Sequence, residues 1–323
     1  MHVTKMFIGR KELLRTIYVI LLFVMVSYSC KKNDTTSQNA EADIPEDEII
    51  EIVSNHMDFQ MPDSISSGWH TFKYDNRSDE THFFLVDKYP EGISIENMEK
   101  EVGPVFQKGM DLIIEGKPEE GIEAFNQLPE WYFNVVFVGG SGLLSPKSSS
   151  LTTLNLEPGY YVIECYVKMP NGTFHSNMGM VKSLIVTSEM SKVTPAEPTN
   201  EIFISSGEGI VVKDSVLGGK QIFSVYFKDQ MVHENFVGHD INLVRVTEGA
   251  DISSLEAWIN WAQPKGLISP APEGFTFLGG VNDMPEGSKA YFEVDLLPGT
   301  YVLISEVPNA RSKGLLKTFV VPN

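Results

Sequence analysis

One short stretch of the sequence contains a cysteine, a histidine and a methionine close enough together to share a chemical task. Cys165 ends a run of strand-forming residues that begins at Gly159, and His175 and Met180 follow within the next fifteen positions. Thiolate, imidazole and thioether groups all bind soft or borderline transition metals. The stretch could therefore bind a metal ion, although a cysteine on an apolar strand fits equally well as a small buried hydrophobic residue.

The order of these residues resembles the C-terminal copper loop of the cupredoxins. In that family a Pro-Gly turn, here Pro158-Gly159, starts a strand that ends in a cysteine ligand. A histidine follows, then a methionine within a Gly-Met pair, and then the last strand. The resemblance covers residues 60–187 closely and residues 200–323 only as scaffold. It implies a Greek-key β-sandwich and a mononuclear copper site with the ligands His82, Cys165, His175 and Met180.

Two imidazoles, one thiolate and a weak thioether suit copper, because soft sulfur stabilises Cu(I) while imidazole tolerates Cu(II). The residue pattern leaves these positions open. His175 could simply be exposed in a turn-rich loop, and Met180 could be a core residue because its counterpart Leu315 is apolar. His82 has a counterpart, His239, in a half of the chain that lacks the other ligands, so it could instead make a structural hydrogen bond. Met178 is a second candidate for the axial thioether. The other histidines have no partner at ligand spacing and are interpreted as structural: His56, His70 and His233.

The spacing between Cys165 and His175 departs from that of the small cupredoxins, where two to four residues separate them. Here the nine residues YVKMPNGTF intervene. Asn-Gly at positions 171–172 favours a tight hairpin turn. Because the two stems of a hairpin are adjacent, this loop can bring the cysteine and the histidine together, but it could equally hold them apart.

The segments that must position these residues are mainly β-strands bounded by turn signals. Between the second and third strands, apolar residues recur every three or four positions, which predicts helices at about 94–127. The predicted strands lie at residues 69–75, 81–89, 131–140, 150–156, 160–167 and 181–187.

Four segments of the first half recur in the same order in the second half, which indicates a tandem repeat. They are 81–92 with 238–249, 137–140 with 277–280, 156–165 with 296–305, and 179–186 with 314–321. We therefore predict an all-β protein of two tandem Greek-key β-sandwich domains with short helical inserts. The predicted domains are residues 51–187 and 201–323, joined by a polar linker at 188–200.

The second copy lacks most of the metal-binding residues. Ser305 stands opposite Cys165, Leu315 stands opposite Met180, and the loop that holds His175 is shortened to PNARSKG. We therefore expect any metal site of this type to lie in the first domain, with the second domain acting as a packing or docking module.

The N-terminus has the pattern of an export signal. Basic residues precede an apolar run at residues 16–29, which is shorter than the about 20 residues of a comfortable membrane span, although a single anchor helix is the alternative. Cys30 follows Ser29 and precedes a polar run, an arrangement that resembles the lipobox of bacterial lipoproteins. This predicts a signal peptide at 1–29, lipidation at Cys30, a flexible tether at 30–50 and a place in the cell envelope.

Charge and missing motifs exclude several functions. The formal net charge is −18, and removing residues 1–29 would bring it to about −21, which argues against nucleic acid as a partner. The sequence has no CxxC, HExxH or GxSxG motif and no His-x-His pair of the kind that a trinuclear copper cluster needs, so we do not expect an enzyme. We expect a lipid-anchored copper protein for electron transfer or copper handling, with a redox or copper-donor protein as its partner. The alternative is a metal-free adhesion or assembly module.

Overall fold

Strand-forming residues dominate both halves of the chain between residues 49 and 323, the part that the computed structural model describes. The predicted signal peptide at 1–29, Cys30 and the tether up to residue 48 lie outside the described residues. The described first half contains seven strands: β1 (Ile49–Ser54), β2 (Ser64–Asn76), β3 (Leu85–Lys88), β4 (Val136–Gly140), β5 (Ser148–Leu156), β6 (Gly159–Glu164) and β7 (Val181–Met190).

The long strand β2 takes part in both layers of the first half. From Gly68 onward it pairs antiparallel with β5, and its end pairs in parallel with β1, forming sheet I. Its first residues instead pair in parallel with β7, which begins sheet II with the order β7-β6-β3-β4. The layers meet through aromatic side chains: Phe72 and Tyr74 of β2 contact Phe84, which leads into β3, at ring-centroid distances of 5.7 and 5.5 Å.

The second half repeats this arrangement with one additional strand. Its strands are β8 (Asn200–Ser205), β9 (Gly209–Val212), β10 (Gly219–Phe227), β11 (Ile241–Val246), β12 (Phe275–Val281), β13 (Lys289–Leu296), β14 (Gly299–Ile304) and β15 (Leu316–Val321). β8 pairs in parallel with β10, and β10 pairs antiparallel with β13, as β1, β2 and β5 do. The additional strand is β9, which pairs with β8. β12-β11-β14-β15 forms sheet III, which matches the order of sheet II. The predicted all-β fold of tandem Greek-key sandwiches is confirmed.

The strand register identifies equivalent residues in the two halves. Leu85 of β3 lies opposite Gly140 and Glu164, and Asn242 of β11 lies opposite Gly280 and Ile304. Counting back three residues from each of these strand positions places His82 and His239 at equivalent positions. The sequence echo therefore corresponds to a structural repeat.

Pairing between the halves extends sheet I across both of them. β5 pairs antiparallel with β13, with Thr153 opposite Tyr291 and Thr152 opposite Phe292. The described residues belong to one compact unit, so the division into domains at 51–187 and 201–323 stays a prediction. β7 ends at Met190 and β8 begins at Asn200, and the intervening residues 191–199, within the predicted linker, are in neither helix nor strand.

Helical segments interrupt the strands at the predicted place. Between β3 and β4 lie α1 (Ile95–Asn97), a π-helical turn (Met98–Val102), α2 (Gly103–Ile114) and α3 (Pro118–Ala124), and then two 3-10 turns (Phe125–Gln127 and Glu130–Asn134). The corresponding insert between β11 and β12 is the single helix α4 (Ile252–Ile259). Two further 3-10 turns lie at Ser176–Met178 and Glu234–Phe236. No helix within residues 49–323 has the length and apolarity to cross a membrane.

Several predicted boundaries are wrong. β6 ends at Glu164 rather than at residue 167, and β7 extends to Met190, into the predicted linker. β1 begins at Ile49, so the first strand includes the last two residues of the predicted tether. β3 covers only 85–88 of the predicted 81–89, because His82 instead makes an isolated bridge to Leu144. The segment at 131–134 is a 3-10 turn rather than a strand, because its aromatic residues pack against the helices: the Tyr132 ring lies 5.6 Å from that of Phe106.

Candidate metal centre

His82 is positioned by a loop that is fixed to the neighbouring chain. Its N–H donates to the carbonyl of Leu144 at 3.2 Å, and its carbonyl accepts from the Leu144 N–H at 2.7 Å. The loop before it is held by Asn76, whose side-chain amide donates to the carbonyls of Glu80, Leu144 and Ser145 at 2.8 to 3.2 Å. His82 is fully buried, so its imidazole has a fixed position in the interior.

Cys165 follows directly on β6, the strand that starts at the Pro-Gly turn. Its N–H donates to the carbonyl of Met180 at 3.2 Å, which joins the end of β6 to the residue before β7. The thiol is fully buried and makes no disulfide. A buried thiol is protected from oxidation and is not an accessible nucleophile.

The nine residues between Cys165 and His175 form the predicted hairpin. The Thr173 carbonyl accepts from the Met169 N–H at 2.8 Å, and the Met169 carbonyl accepts from the Gly172 N–H at 2.8 Å. At the base of the hairpin, the His175 N–H donates to the Val167 carbonyl at 2.8 Å. The hairpin therefore brings His175 back beside Cys165. The sequence left open whether this loop joins the two residues or holds them apart, and the structure shows that it joins them.

Three side-chain donor atoms converge at this place. The Cys165 Sγ lies 3.7 Å from Nδ1 of His82 and 3.8 Å from Nδ1 of His175, and the two Nδ1 atoms lie 3.0 Å apart. Within residues 49–323, this is the one set of three His, Cys, Asp or Glu side chains whose donor atoms all lie within 4.8 Å of one another.

These separations fit three ligands of one metal ion. Metal–nitrogen and metal–sulfur bonds of about 2.0 and 2.3 Å, spread trigonally, would separate two nitrogens by about 3.5 Å and a nitrogen from a sulfur by about 3.7 Å. The two nitrogen–sulfur distances agree with this, and the nitrogen–nitrogen distance of 3.0 Å is about 0.5 Å shorter than expected for bound ligands. The site therefore satisfies the geometric requirement for a metal bound by His82, His175 and Cys165.

Both histidines are neutral, and the polar contacts of their rings are made by the Nδ1 atoms within this site. Burial lowers the pKa of His82 to about 4, and burial together with the neighbouring His82 lowers that of His175 to about 3. The Nε2 atoms of both rings are buried without a hydrogen-bond partner. A neutral imidazole is the form that binds metals, so both rings are in the binding form at neutral pH.

The thiol of Cys165 needs a metal to ionise. Burial raises its pKa to about 12, although backbone hydrogen bonds from Phe83 and Val167 lower it in part. Because only the thiolate is a strong ligand, metal binding here must release a proton.

Met180 lies at the same site through its backbone. Its N–H donates to the His175 carbonyl at 3.0 Å, its carbonyl accepts from Cys165, and its side chain is fully buried. The rival Met178 is 46% exposed in the 3-10 turn before it. Exposure makes Met178 the poorer of the two candidates for an axial thioether.

The second half has the same backbone framework without the ligands. The N–H of Ser305 donates to the Leu315 carbonyl at 3.0 Å, and the Leu315 N–H donates to the Ala310 carbonyl at 2.7 Å. These bonds match those of Cys165, Met180 and His175 in the first half, so Ala310 is the counterpart of His175. The place is occupied by a hydrogen-bond cluster, in which Asp240 accepts from the Ser305 hydroxyl at 2.5 Å.

Three further histidines in the described part of the chain make other contacts. His70 shares a hydrogen bond of 2.8 Å between its Nε2 and the Ser66 carbonyl. His239 and His233, which the sequence treats as unrelated, approach each other with their Nε2 atoms 3.0 Å apart. Their contact could not be predicted from a spacing of six residues, because the turn at 234–236 that brings the two rings together has no recognisable sequence motif.

Asn76 offers a test of how the site is positioned. Changing Asn76 to Asp would replace an amide that donates to three carbonyls with a carboxylate that faces the same oxygens. We expect a loss of about 3 kcal/mol in the free energy of unfolding, because buried acceptors would lose their donor and a charge would be buried unpaired. Urea unfolding measures this, and Asn155→Asp on the exposed side of β5 is the control. Equal, small losses in both variants would contradict the role given to Asn76.

Comparisons with known proteins give likenesses to copper proteins at low similarity. No protein-family model and no curated protein matches this chain. Among solved structures, a reduced auracyanin from Roseiflexus castenholzii is 21% identical, with 43% of this chain and 97% of that chain covered and a TM-score of 0.26. Auracyanin A, a "blue" copper protein from Chloroflexus aurantiacus, is 19% identical over 43% of this chain and 98% of its own, with a TM-score of 0.26. A multicopper oxidase is 12% identical over 84% of this chain and 87% of its own, with a TM-score of 0.20.

The chain's own residues agree with the cupredoxin-like fold predicted from the sequence. The Pro158-Gly159 turn starts β6, Cys165 follows its end, and His175 and Met180 come before β7, the last strand of the first half.

Proposed function

We propose that this protein binds one copper ion through His82, Cys165 and His175 and uses it to transfer electrons. The observation that carries the proposal is the convergence of two Nδ1 atoms and one Sγ atom within 3.8 Å of one another in the interior. Copper supplies a one-electron exchange between Cu(I) and Cu(II). The other roles fall to the chain, which fixes the ligands and excludes water.

The donor set favours copper over zinc. Structural zinc sites take four ligands from cysteine, histidine and carboxylate side chains, whereas here the described residues bring together only three of these. A trigonal set of two histidines and one cysteine with a weak axial thioether is typical of electron-transfer copper sites. Met180 would supply this thioether to a bound copper ion, because its side chain is buried and its backbone is hydrogen-bonded to both His175 and Cys165.

Burial favours electron transfer over copper delivery. All three ligands have no solvent exposure, and His175 is held at the base of a hydrogen-bonded hairpin. Electrons can cross a few ångströms of protein, but handing the ion to a partner would require the hairpin to open. We therefore propose that the partner is a redox protein. We also propose that the chain itself catalyses no reaction.

We also propose that the protein is exported and anchored in the cell envelope by a lipid on Cys30. The support is the sequence of residues 1–30, since this part lies outside the described residues. Mass spectrometry of the N-terminal peptide would test it: an acylated Cys30 supports the anchor, and an unmodified peptide that begins at Met1 contradicts it.

A pair of histidine variants tests the copper site. We expect the full chain to retain one copper per molecule after dialysis and His82→Ala to retain almost none, because losing a ligand should cost more than the 10–100-fold in affinity typical of outer-shell changes. The repeat supplies a matched control. His239 occupies the equivalent place in the second half, so His239→Ala should still bind one copper. Elemental analysis of the dialysed proteins measures this.

Two results would contradict the proposal. A folded, colourless chain without copper would favour the alternative of a metal-free adhesion or assembly module. Equal loss of copper in His82→Ala and His239→Ala would mean that the ion is bound elsewhere or that both changes act through the fold.

A further inference from the structure

Next to the metal centre lies a cavity of about 90 Å³ that both halves of the chain line. It borders the metal ligands: Glu164 precedes Cys165, and Phe174 and Ser176 flank His175, and all three residues line the cavity. The second half also lines it, through residues that include Asp240, Trp261 and Glu306. None of the roles described above uses this space.

The charged residues around the cavity have one sign. No Lys, Arg or His is among the described residues that line it, and five are acidic: Asp87, Glu164, Asp240, Asp283 and Glu306. Gathering carboxyl groups in an interior is unfavourable, because each loses hydration and repels the others. Such groups are stabilised by internal partners, by a bound cation or by protonation, and burial does raise the pKa of Asp87 and Glu306 well above their ordinary values.

Two of the carboxyl groups are fully partnered within the protein. Asp240 accepts hydrogen bonds from Ser305, the Glu306 N–H and Asn242 at 2.5 to 2.7 Å. Asp283 accepts from Gln230 at 2.7 Å and from the Gly238 N–H at 3.0 Å. Both therefore have a structural explanation.

Asp87 and Glu306 have incomplete partners, although Asp87 shares one side-chain hydrogen bond with Glu164. Each is only 2% exposed, and Oδ1 of Asp87 and Oε1 of Glu306 are buried with no hydrogen-bond partner. The other oxygen of Glu306 accepts from the Tyr166 hydroxyl at 3.0 Å. A buried acceptor without a partner costs about 1–3 kcal/mol, so these two oxygens, one from each half, are sites at which a donor would be stabilising.

Aromatic rings form another part of the lining. The Phe106 ring lies 5.6 Å from Tyr132, 6.1 Å from Phe236 and 5.7 Å from Trp261, and all four residues line the cavity. The faces of aromatic rings attract cations, and Trp and Tyr do so most strongly. Carboxylates combined with aromatic rings are the usual environment for an organic ammonium group.

The arrangement of the carboxyl groups argues against a metal ion bound by three of them. A metal ligated by three of these groups would require their oxygens to converge, and among residues 49–323 only the His82, Cys165 and His175 set does so. A cavity of this volume has room for a molecule of roughly six non-hydrogen atoms, each about the size of a water molecule. The occupant should therefore be a small molecule that carries several N–H groups and an apolar part.

We propose that this cavity binds a small organic ammonium ion, with its N–H groups donating to Asp87 and Glu306 and its hydrocarbon part against the aromatic rings. The site is independent of the copper proposal, because none of its contacts is a metal ligand.

The probe for this site is n-butylammonium, titrated calorimetrically into the full chain with and without copper. We expect it to bind at one site and to bind at least about tenfold more tightly than n-butanol, the neutral analogue of the same size, because charged hydrogen bonds contribute about 1.5–3 kcal/mol. Asp87→Asn and Glu306→Gln keep the side-chain shapes and should each weaken binding at least about tenfold. The exposed Glu119→Gln should leave it unchanged.

Four outcomes would overturn the proposal. Equal binding of butanol would mark an apolar cavity without cation selectivity. Binding of Mn²⁺ with displacement of butylammonium would mark a metal site. Absence of binding at millimolar butylammonium would show that the cavity does not bind this cation. Binding that is unaffected in both folded carboxylate variants would show that the cation binds elsewhere. Because the metal-free protein is also titrated, these results do not depend on whether the copper site exists.

Discussion

Replacing Cys165 with serine should abolish the intense visible absorption of the copper-loaded protein and lower its copper affinity by more than about 100-fold. The thiolate is the donor that gives Cu(II) a strong charge-transfer band, and a hydroxyl at the same place stays protonated and binds copper poorly. The measurement is an absorption spectrum of the protein after addition of one equivalent of Cu(II), followed by competition with a chelator.

The repeat shows why this variant should remain folded. Ser305 is the natural counterpart of Cys165, with the same backbone hydrogen bond to the residue before the last strand. A serine is therefore already accommodated in this framework. Ser305→Ala is the matched control and should leave the copper spectrum unchanged. An unaltered band in Cys165→Ser would remove the thiolate from the site and with it the proposed centre.

The second large effect concerns backbone geometry, at Gly140. We expect Gly140→Ala to reduce the free energy of unfolding by about 4 kcal/mol or more, which is at the upper end for a single change. Gly140 has a φ of 158°, and a Cβ there would overlap the carbonyl oxygen of Phe84. The equivalent residue of the second half, Gly280, has a φ of 155°, and a Cβ added there would overlap the carbonyl of Ile241. Both glycines let the strand after the helical insert approach the strand that follows the histidine.

A comparison with Gly287 separates the clash from the cost of the backbone angle. Gly287 also has a positive φ, of 78°, but a Cβ there would meet no atom within 4 Å. Gly287→Ala should therefore cost only about 1–2 kcal/mol, the usual penalty for a side chain in the left-handed region. Chemical denaturation of both variants measures the difference. Equal losses would show that the close approach at Gly140 is relieved by small shifts.

Much of this architecture can be predicted from the sequence because it rests on local signals. Alternating and β-branched residues identify most strands, and Asn171-Gly172 identifies the hairpin whose stems carry Cys165 and His175. The repeat could be found because its echoes keep the same order. The Trp131 to Asn134 segment misleads, since aromatic residues also enrich helix-facing turns, and only the contact with Phe106 shows which applies.

The site could be predicted as a set of residues but not as a geometry. Whether a nine-residue loop returns His175 to Cys165 depends on the hydrogen bonds of the hairpin stems and on how the Asn76 loop fixes His82. None of these has a sequence motif of its own. The ammonium cavity could not be predicted, because Asp87 and Glu306 are ordinary strand-associated acids in sequence and become neighbours of one space only when the two halves pack together.

The pairing of β5 with β13 has a consequence for folding during synthesis. Synthesis delivers the first half before the second, and until β13 arrives, one side of β5 has free N–H and C=O groups along Leu151, Thr152 and Thr153. An open strand edge of this kind is a template for pairing with another molecule. The second half, which lacks the metal ligands, thus supplies the strand that closes this edge and protects the nascent first half from self-association.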